Sequence, residues 1–329
     1  HTSRSLLVRL YTPAAHTPAV SAACVVVLPV LLPLGDGAMS RSTLTGLNTS
    51  SSEREYVALG VELGMRGDGR GRLDYRSLSV QAGVLAQSNG SARVTIAHNG
   101  TDVLAAVKVE VGEPDLTAPG AGRVEVCVSC SNSLFPKFDE RSSGDVNAVL
   151  SGALERSMRG VGGLDLDALG IVEGKFCWVV FVDILVLQAD GNLLDASSFA
   201  AYTALNTARI PKVTPLLGEG GVYDDFEISS ELDDAVSIEG ATNVPVCLTM
   251  SRVGGHFIVD ASLEEEACVE ASVAVFVDRE GRVCGSRKEG EGAVPAQHLG
   301  GMAKCAAAMA KGIFAVLDSS AEKSAASRG

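Results

Sequence analysis

Between residues 76 and 130, apolar and polar side chains alternate in four short runs, which is the pattern of strands that bury one face. Asn89-Gly90 and Asn99-Gly100 stand between successive runs, and Asn-Gly pairs are typical of tight hairpin turns. The clearest hairpin joins the runs SARVTIAH and TDVLAAVKVEVG. In the fourth run, RVEVCVSC, Cys127 and Cys130 lie an odd number of positions apart. They therefore face opposite sides of the strand and do not form half of a zinc site.

Two helices and one long strand follow this block. Apolar residues at helical spacing predict an amphipathic helix over Asp145–Arg159. Phe176–Gln188 is an almost unbroken apolar run, and this pattern favours a central strand that is covered on both faces. A helix rich in small residues then begins near Asp195 and ends before Pro211, because proline cannot continue it.

An acidic segment with several glycines, residues 216–242, separates this first unit from a second one. Within residues 243–318, the strand-like runs VPVCLTMSRV, HFIVD, ASVAVFVD and RVCGSRK precede a helix that ends near Leu317. We predict an α+β fold with two related sheet-plus-helix halves, residues 53–215 and 243–318. Residues 319–329 are expected to form a flexible tail.

The first 52 residues differ in composition from the rest of the chain. They contain three basic residues and one acidic residue, together with an apolar run at Ala22–Leu34 that is too short to span a bilayer. A targeting peptide is one interpretation. We favour another, in which Met39 is the natural start and the residues before it are not native. Residues 1–52 are then an N-terminal extension without fixed structure.

The chain is acidic overall. Its 329 residues carry 27 basic and 40 acidic side chains, which gives a formal net charge of −13. No general basic field is therefore available to hold a polyanion, and a nucleic acid would need a local patch of cations. Eight cysteines are scattered through apolar runs, which favours reduced thiols in the cytosol or nucleus. The sequence predicts no metal site, no cofactor and no membrane segment.

Five strings carry a resemblance to one family: RGDGRGRLDYR, NGSARVTIAH with TDVLAAVKVEVG, FCWVVFVDILVLQADGNLLDA, LNTARIPKV and VDASLEEEACVEASV. Through them, the body of the chain from Arg66 to about Leu317 resembles the ribonuclease PH superfamily, and most closely a ring subunit of the eukaryotic RNA exosome. The resemblance implies a ribonuclease-PH-like fold with two related halves, which we call domain 1 and domain 2. It also implies a ring of six such subunits around a channel that threads single-stranded RNA.

The resemblance implies a setting as well as a fold. The expected partners are other ribonuclease-PH-like exosome subunits in a hetero-hexameric ring, RNA-binding cap subunits, and single-stranded RNA held weakly. The expected locations are the nucleus, the nucleolus and the cytoplasm. Active members of the family cleave RNA from its 3′ end with inorganic phosphate as the nucleophile, whereas inactive members build the ring.

The positions that correspond to the phosphate site of active members have changed. The strand-to-helix turn of active members resembles QADGGTRTAS. Here Gln188–Gly191 match that turn, but its phosphate-holding Thr and Arg fall on Leu193 and Leu194. Asp195 follows, and it would add a negative charge beside these two positions. Asp145 stands where active members carry an Arg before the amphipathic helix.

The acidic loop of the family keeps most of its pattern in this chain. Asp260 and the glutamates of LEEEACVE match acidic positions of active members, whereas the last aspartate falls on Ser272. A serine cannot act as an acid at neutral pH or hold a divalent ion as a carboxylate does. For Glu264–Glu266, a solvated loop or a contact between subunits is favoured over a remnant of a metal site.

Three parts of the site have therefore changed in ways that disfavour a bound anion, and we predict a catalytically inactive subunit. The first alternative is an active phosphate-dependent 3′-5′ exoribonuclease with an unusual site. The second is an unrelated binding module of the same fold. Arg93, Lys137 and Arg141 are candidates for contact with RNA phosphates, or else ordinary surface cations.

Overall fold

The computed structural model describes residues 49–131, 134, 140–217, 223–229, 231 and 234–328. The N-terminal extension before residue 49, with Met39, lies outside these residues. Helix α1 (Ser51–Glu62) is the first element, and Ser50 caps it. The Ser50 hydroxyl accepts the Glu53 N–H, and the Glu53 carboxylate accepts the Ser50 N–H. This capping box satisfies two amide groups that a helix start leaves open.

Six strands form the sheet of domain 1. In chain order they are β1 (Leu78–Ala82), β2 (Gly90–Ile96), β3 (Thr101–Gly112), β4 (Arg123–Cys130), β5 (Gly170–Val172) and β6 (Phe176–Gln188). Across the sheet the order is β1-β2-β3-β6-β4, with β5 beside β6. Strand β4 runs parallel to β6, and the other pairs are antiparallel. The predicted hairpin of β2 and β3 is confirmed, with Ile96 opposite Thr101.

Two helices, α2 (Glu140–Arg159) and α3 (Leu193–Thr207), pack on this sheet. The inward side chains of the strands, such as Val94 and Val182, are fully buried in one core together with Phe199 of α3. Helix α3 is buried on nearly all sides, because domain 1 packs on one side of it and domain 2 on the other. The N-terminus of α3 consequently lies at the boundary between the two domains.

The long apolar run of β6 is covered on both faces only in its first half. From Asp183 onward every second residue is exposed, and Leu185 and Leu187 are 43% and 41% exposed. The prediction of full coverage was wrong for this half of the strand. Within the described part of the chain, no helix lies over these residues, and a mostly antiparallel sheet tolerates one open face.

The acidic connecting segment contains strands as well as loops. These are β7 (Arg209–Ile210), β8 (Val213–Leu217), β9 (Tyr223–Ile228) and β10 (Val236–Ser237). Strand β7 pairs with β10, and β8 forms an antiparallel hairpin with β9. Phe226 of β9 packs edge-on against Phe176 of β6, with the ring centroids 5.0 Å apart. The hairpin was not predicted, because its acidic side chains obscured the apolar positions that attach it to domain 1.

The sheet of domain 2 has four antiparallel strands in the order β12-β11-β13-β14. They are β11 (Val246–Val253), β12 (His256–Val259), β13 (Ala271–Val277) and β14 (Val283–Glu289). A short helix, α4 (Leu263–Glu266), connects β12 to β13 where a loop was predicted, and helix α5 (Ala296–Arg328) closes the domain. Helix α5 continues through the segment that was predicted as a flexible tail. The two sheet-plus-helix halves confirm the predicted α+β fold.

Helix α5 is long and apolar enough, over Ala296–Lys323, to cross a membrane by length and composition alone. One face of it nevertheless lies in the protein core. The buried residues on that face are Met302, Ala306, Ala310, Ile313, Phe314 and Leu317. Their spacing of three and four positions is that of a helix that packs on one side, and Lys304 and Lys311 are exposed. We therefore interpret α5 as a core helix of domain 2.

Candidate functional site

The turn between β6 and α3 is held against domain 2 by its own backbone. Gly191 has a φ of +77°, a conformation that favours glycine. A Cβ atom on Gly191 would lie 2.5 Å from the carbonyl oxygen of Ala261 and 2.8 Å from the carbonyl carbon of Ser262. Thr101 fixes the turn from domain 1, since its hydroxyl donates to the Gly191 carbonyl and accepts the Asp190 N–H. The glycine is therefore required by the packing of the two domains.

The start of α3 lacks the groups that would hold a phosphate. Leu193 is half-buried and Leu194 is buried, so both present hydrocarbon where active members present a hydroxyl and a guanidinium. The N–H of Asn192, just ahead of the helix, donates to Glu266 Oε1 at 2.9 Å. Helix N-termini attract anions. In this chain the attracted anion is a carboxylate of the chain's own domain 2.

Asp195 is held by partners inside the chain. Its carboxylate is fully buried and accepts hydrogen bonds from the Tyr75 hydroxyl, from the Thr249 N–H at 2.9 Å and from the Thr249 hydroxyl at 2.7 Å. Burial raises the pKa of Asp195, and the hydrogen bonds from Tyr75 and Thr249 oppose that rise only in part. Asp195 thus joins α3 to β11 of domain 2, and it stays linked to the turn through the Tyr75 hydroxyl, which accepts from the Asn192 side-chain amide at 3.3 Å.

Asp260 is the centre of a buried charge cluster between the domains. Its carboxylate accepts from Nε and Nη2 of Arg76 at 2.8 and 2.7 Å, and from Nη1 of Arg70 at 3.1 Å. The side-chain amide of Asn192 donates to the same carboxylate at 2.9 Å. Burial alone would raise the pKa of Asp260, but the hydrogen bonds and charges of Arg76 and Arg70 outweigh it, so that this pKa lies below its usual value.

Arg66 and Glu265 form the second half of this cluster. The guanidinium of Arg66 donates through Nε to Glu265 Oε1 at 2.7 Å, and its Nη2 also bonds the other oxygen of that carboxylate. The remaining donors of Arg66 bond the carbonyls of Val259 and Asp260 at 2.9 and 2.8 Å. We call Arg66, Arg70, Arg76, Asp260 and Glu265 the interdomain charge cluster. Bidentate arginine pairs of this kind fix position as well as charge.

The interdomain charge cluster changes the interpretation of the acidic loop. The preference for a solvated loop or a subunit contact at Glu264–Glu266 was wrong for Glu265, which is only 6% exposed and paired within the chain, and for the half-buried Glu266, which bonds Asn192. The three arginines were not predicted as functional residues. One sequence signal could have indicated them: RGDGRGRLDYR holds several cations close together, and VDASLEEE holds a similar number of carboxylates. Acidic side chains of this number are buried only when cations face them.

The other two altered positions lie on other elements. Asp145 is exposed on α2, and Ser272 is 1% exposed on β13, opposite Ser251 and Glu289 of the neighbouring strands. The Ser272 hydroxyl has no hydrogen-bond partner among the described residues. Within the same residues, no hydrogen bond or ion pair joins Asp145 or Ser272 to the turn at Gly191. Of the four altered positions, Leu193 and Leu194 directly follow the turn at the start of α3, and no described hydrogen bond or ion pair links the other two to it.

The candidate RNA contacts are only partly described. Arg93 lies on β2 with its side chain 44% exposed, and it makes a bidentate pair with Asp102 of β3, at 3.0 Å from Nε and 2.5 Å from Nη2. This pair compensates the charge of Arg93 locally, which weakens it as a phosphate ligand. Lys137 lies outside the described residues. Arg141 falls in the first turn of α2, where the structure describes the backbone but not the side chain.

The cysteines have the arrangement that the alternation predicted for β4. Cys127 is exposed and Cys130 is buried, so they face opposite sides of the strand. All seven cysteines of the described ranges have free thiols, and burial raises the pKa of Cys130 to about 12. No group of three or more histidine, cysteine, aspartate or glutamate side chains in those ranges has the geometry of a metal site.

Both domains match models of one protein family. Residues 74–211 match domain 1 of the 3′ exoribonuclease family, RNase_PH, and residues 243–309 match domain 2 of that family. A relative from Methanopyrus kandleri, named exosome complex component Rrp42, is 36% identical over 248 residues, which are 75% of this chain and 88% of the relative. A relative from Dictyostelium discoideum, named as a candidate exosome complex exonuclease RRP42, is 31% identical over 73% of this chain and 88% of its own length.

Solved structures agree with the sequence comparisons. A chain of an archaeal exosome core superposes with a TM-score of 0.65 at 25% identity, over 84% of this chain and 98% of the other. A chain of the Archaeoglobus fulgidus exosome with RNA bound to the active site superposes with a TM-score of 0.66 at 27% identity, over 80% of this chain and 96% of the other.

Proposed function

The chain belongs to the 3′ exoribonuclease family of the ribonuclease PH type, and from this premise we propose that it is a non-catalytic ring subunit of the RNA exosome. In this role it supports 3′-to-5′ processing and degradation of RNA, including rRNA maturation and mRNA decay. Its partners are other ribonuclease-PH-like subunits in a hetero-hexameric ring, RNA-binding cap subunits, and single-stranded RNA held weakly. Its locations are the nucleus, the nucleolus and the cytoplasm. The names of its relatives support the ring.

One observation carries the proposal that the subunit is not catalytic. The carboxylate of Glu266 accepts a hydrogen bond from the backbone N–H of Asn192, just before α3. The phosphate turn of active members lies at this position. A phosphate brought to this turn would face that carboxylate without an opposing cation from Leu193 or Leu194. Two like unit charges about 4 Å apart repel by about 4 kcal/mol at an effective dielectric constant of about 20. Active members also carry an acidic residue at the position of Glu266, so what disfavours a phosphate here is the loss of the hydroxyl and guanidinium at Leu193 and Leu194, which leaves this carboxylate unopposed.

The arginines of the domain boundary do not replace the missing cation. Arg76 is committed to Asp260 and to the Asp190 side chain, and Arg66 is committed to Glu265. Moving either guanidinium toward a phosphate would leave a buried carboxylate without its counter-charge, which is strongly unfavourable. The cations near the turn thus hold the domains together.

An active phosphate-dependent exoribonuclease is the second candidate. The retained residues Gln188–Gly191, Asp260 and Glu265 favour it, because active members carry the same types at these positions. Each of the retained groups that we describe, however, has a partner inside this chain. The fold alone therefore explains why these residue types are present, and no reaction at the turn is needed to explain them.

The test is a phosphorolysis assay on the purified full chain. RNA labelled at its 3′ end is incubated with the chain in the presence and absence of inorganic phosphate, beside an active member of the family. We expect no phosphate-dependent release of nucleoside diphosphate from this chain. Release that depends on phosphate would establish the second candidate. Purification of the native complex tests the ring, since we expect other ribonuclease-PH-fold chains to accompany this one and a monomer in cell extract would contradict it.

A double substitution, Leu193→Thr with Leu194→Arg, tests the account of the turn. We expect it to remain inactive in the same assay, because Asp145 and Ser272 are unchanged. Leu194 is buried, so thermal unfolding must first show that the double variant folds. Leu193→Thr alone, at a half-buried position, is the second variant if it does not. Phosphate-dependent release by either variant would show that the missing donors were the whole defect.

A further inference from the structure

Helix α1 presents a row of large apolar side chains to solvent. Tyr56, Leu59 and the C-cap residue Leu63 follow at spacings of three and four residues and are 75%, 52% and 69% exposed. Met65, which lies beyond the helix end after the left-handed Gly64, is 68% exposed. Residues at these spacings share one side of a helix. We call these four residues the α1 stripe. A contiguous apolar surface of this kind on a described, folded helix indicates an interaction site.

The opposite side of α1 already has its partner within the chain. Val61 is buried against Val253, Ile258 and Ala261 of domain 2, and Val57 packs on the same small core. This attachment explains why α1 is helical and where it lies. It does not explain why the side chains of the α1 stripe are apolar, because they are not part of that core. Helix α1 is thus apolar on two sides, and the fold covers only one of them.

An acidic groove lies directly beside the α1 stripe. It has a volume of about 340 Å³ and is lined by Glu55, Leu59 and Glu62 of α1 and by the turn Gly254-Gly255-His256. Among the described residues, neither Glu55 nor Glu62 has an ion-pair partner. Arg72 donates to Nδ1 of His256 at 2.7 Å, so its guanidinium is held at the histidine. The groove therefore offers two carboxylates beside an apolar wall.

We infer that the α1 stripe and this groove are one side of the lateral contact with a neighbouring ribonuclease-PH-fold subunit. The neighbour places apolar side chains on the stripe and the ammonium or guanidinium of a lysine or arginine between Glu55 and Glu62. This inference rests on the proposed ring function. A closed ring requires each subunit to bury two lateral surfaces, and a stable contact takes about 800 Å² per partner with exposed aromatic and aliphatic side chains at its centre.

The charge of this surface favours a protein partner over RNA or a lipid membrane. The three glutamates of α1, Glu53, Glu55 and Glu62, outnumber its one arginine, Arg54, on a chain that is acidic overall, so RNA and anionic lipid are disfavoured. A protein surface with a basic side chain beside an apolar patch is complementary in both respects. The aliphatic stem of such a residue packs on Leu59 while its charged end reaches the carboxylates.

The experiment is assembly of the full chain with the other ribonuclease-PH-fold subunits of the same organism, produced together and analysed by native mass spectrometry. The variants are Leu59→Glu with Leu63→Glu, and separately Glu62→Lys. The matched control is Leu116→Glu, because Leu116 is a 98% exposed leucine on the loop after β3. We expect the wild type and the control to retain both neighbours. We expect the stripe variant to lose one neighbour, with its affinity reduced about 30-fold or more per substitution.

The outcomes separate this inference from the proposed function. A wild-type chain that assembles with no subunit of this fold would overturn the ring proposal and the inference with it. A wild type that assembles, with a stripe variant that assembles equally well, would overturn the inference alone. Thermal unfolding of the isolated variants excludes a folding defect. If deletion of residues 1–48 speeds amide exchange along α1 in the isolated chain, the N-terminal extension is the occupant and the inference is wrong.

Discussion

Replacing Asp260 by asparagine is expected to lower the free energy of unfolding by about 3–5 kcal/mol, the usual cost of removing one partner of a buried ion pair. The Asp260 side chain is fully buried, and the side chain of its partner Arg76 is only 7% exposed. Without the carboxylate, Arg76 keeps its positive charge in a site that water does not reach. Urea unfolding of the wild type and of Asp260→Asn, followed by circular dichroism, measures the difference.

Asparagine is the right substitution because it changes the charge and little else. Asp260 has a φ of +48°, a left-handed conformation that aspartate and asparagine both tolerate. The shape of the side chain is also kept, so no cavity forms. The loss of stability therefore reports the ion pair and its hydrogen bonds, without a contribution from backbone strain or from packing.

A second carboxylate in contact with the same arginines provides the control. Asp68 pairs with Arg70, but its side chain is 45% exposed, so we expect Asp68→Asn to change the free energy of unfolding by at most about 1 kcal/mol. Equal and small effects of the two substitutions would contradict our view that the interdomain charge cluster holds the domains together.

The effect of Asp260 should also depend on pH with a definite sign. The pKa of Asp260 in the folded chain lies below the value of an ordinary aspartate, because Arg76 and Arg70 stabilise its ionised form against the cost of burial. Its contribution to stability is therefore complete above about pH 4 and is lost as the pH falls through the lower, folded pKa. The difference between the wild type and Asp260→Asn should shrink in the same range.

The sequence predicts those parts of the fold that depend on local pattern. The bounds of β6 follow from an apolar run that ends at Gln188 before the turn with Gly191, and the β2–β3 hairpin follows from its Asn-Gly turn. The hairpin of β8 and β9 was missed because scattered positions attach it to domain 1, among them Phe226 on Phe176 and the half-buried Val213 on the core. Apolar residues that recur every two or 3.6 positions indicate a strand or helix that is buried against another layer of the fold. Isolated long-range contacts produce no such pattern.

The candidate site was less predictable than the fold, because its contacts join residues far apart in the chain. Arg66 and Glu265 are 199 positions apart, so no local pattern relates them. Asp195 shows a different limit. It lies two positions after Leu193 on α3, and two residues turn a helix by about 200°. Asp195 and Leu193 therefore point to different sides of α3. The sequence alone could have predicted this difference.

Gly191→Ala is expected to destabilise the chain by about 2–5 kcal/mol, for two reasons that act together. The φ of +77° is unfavourable for alanine by about 1–2 kcal/mol. The new methyl group would also lie 2.5 Å from the Ala261 carbonyl oxygen and 2.9 Å from the Leu263 nitrogen. These are backbone atoms of domain 2, which cannot turn aside as a side chain can, and overpacking of this kind adds about 1–3 kcal/mol.

Gly174→Ala separates the two contributions to the Gly191 effect. Gly174 has nearly the same φ, +75°, but no atom lies within 4 Å of the position that its Cβ would take. We expect Gly174→Ala to cost only the conformational part, about 1–2 kcal/mol, in the same urea unfolding measurement. If the two variants are equally stable, the backbone of domain 2 does not clash with a methyl group at position 191. A larger loss of unfolding free energy for Gly191→Ala than for Gly174→Ala would instead show that this turn serves as a contact between the domains, whether or not a phosphate binds there.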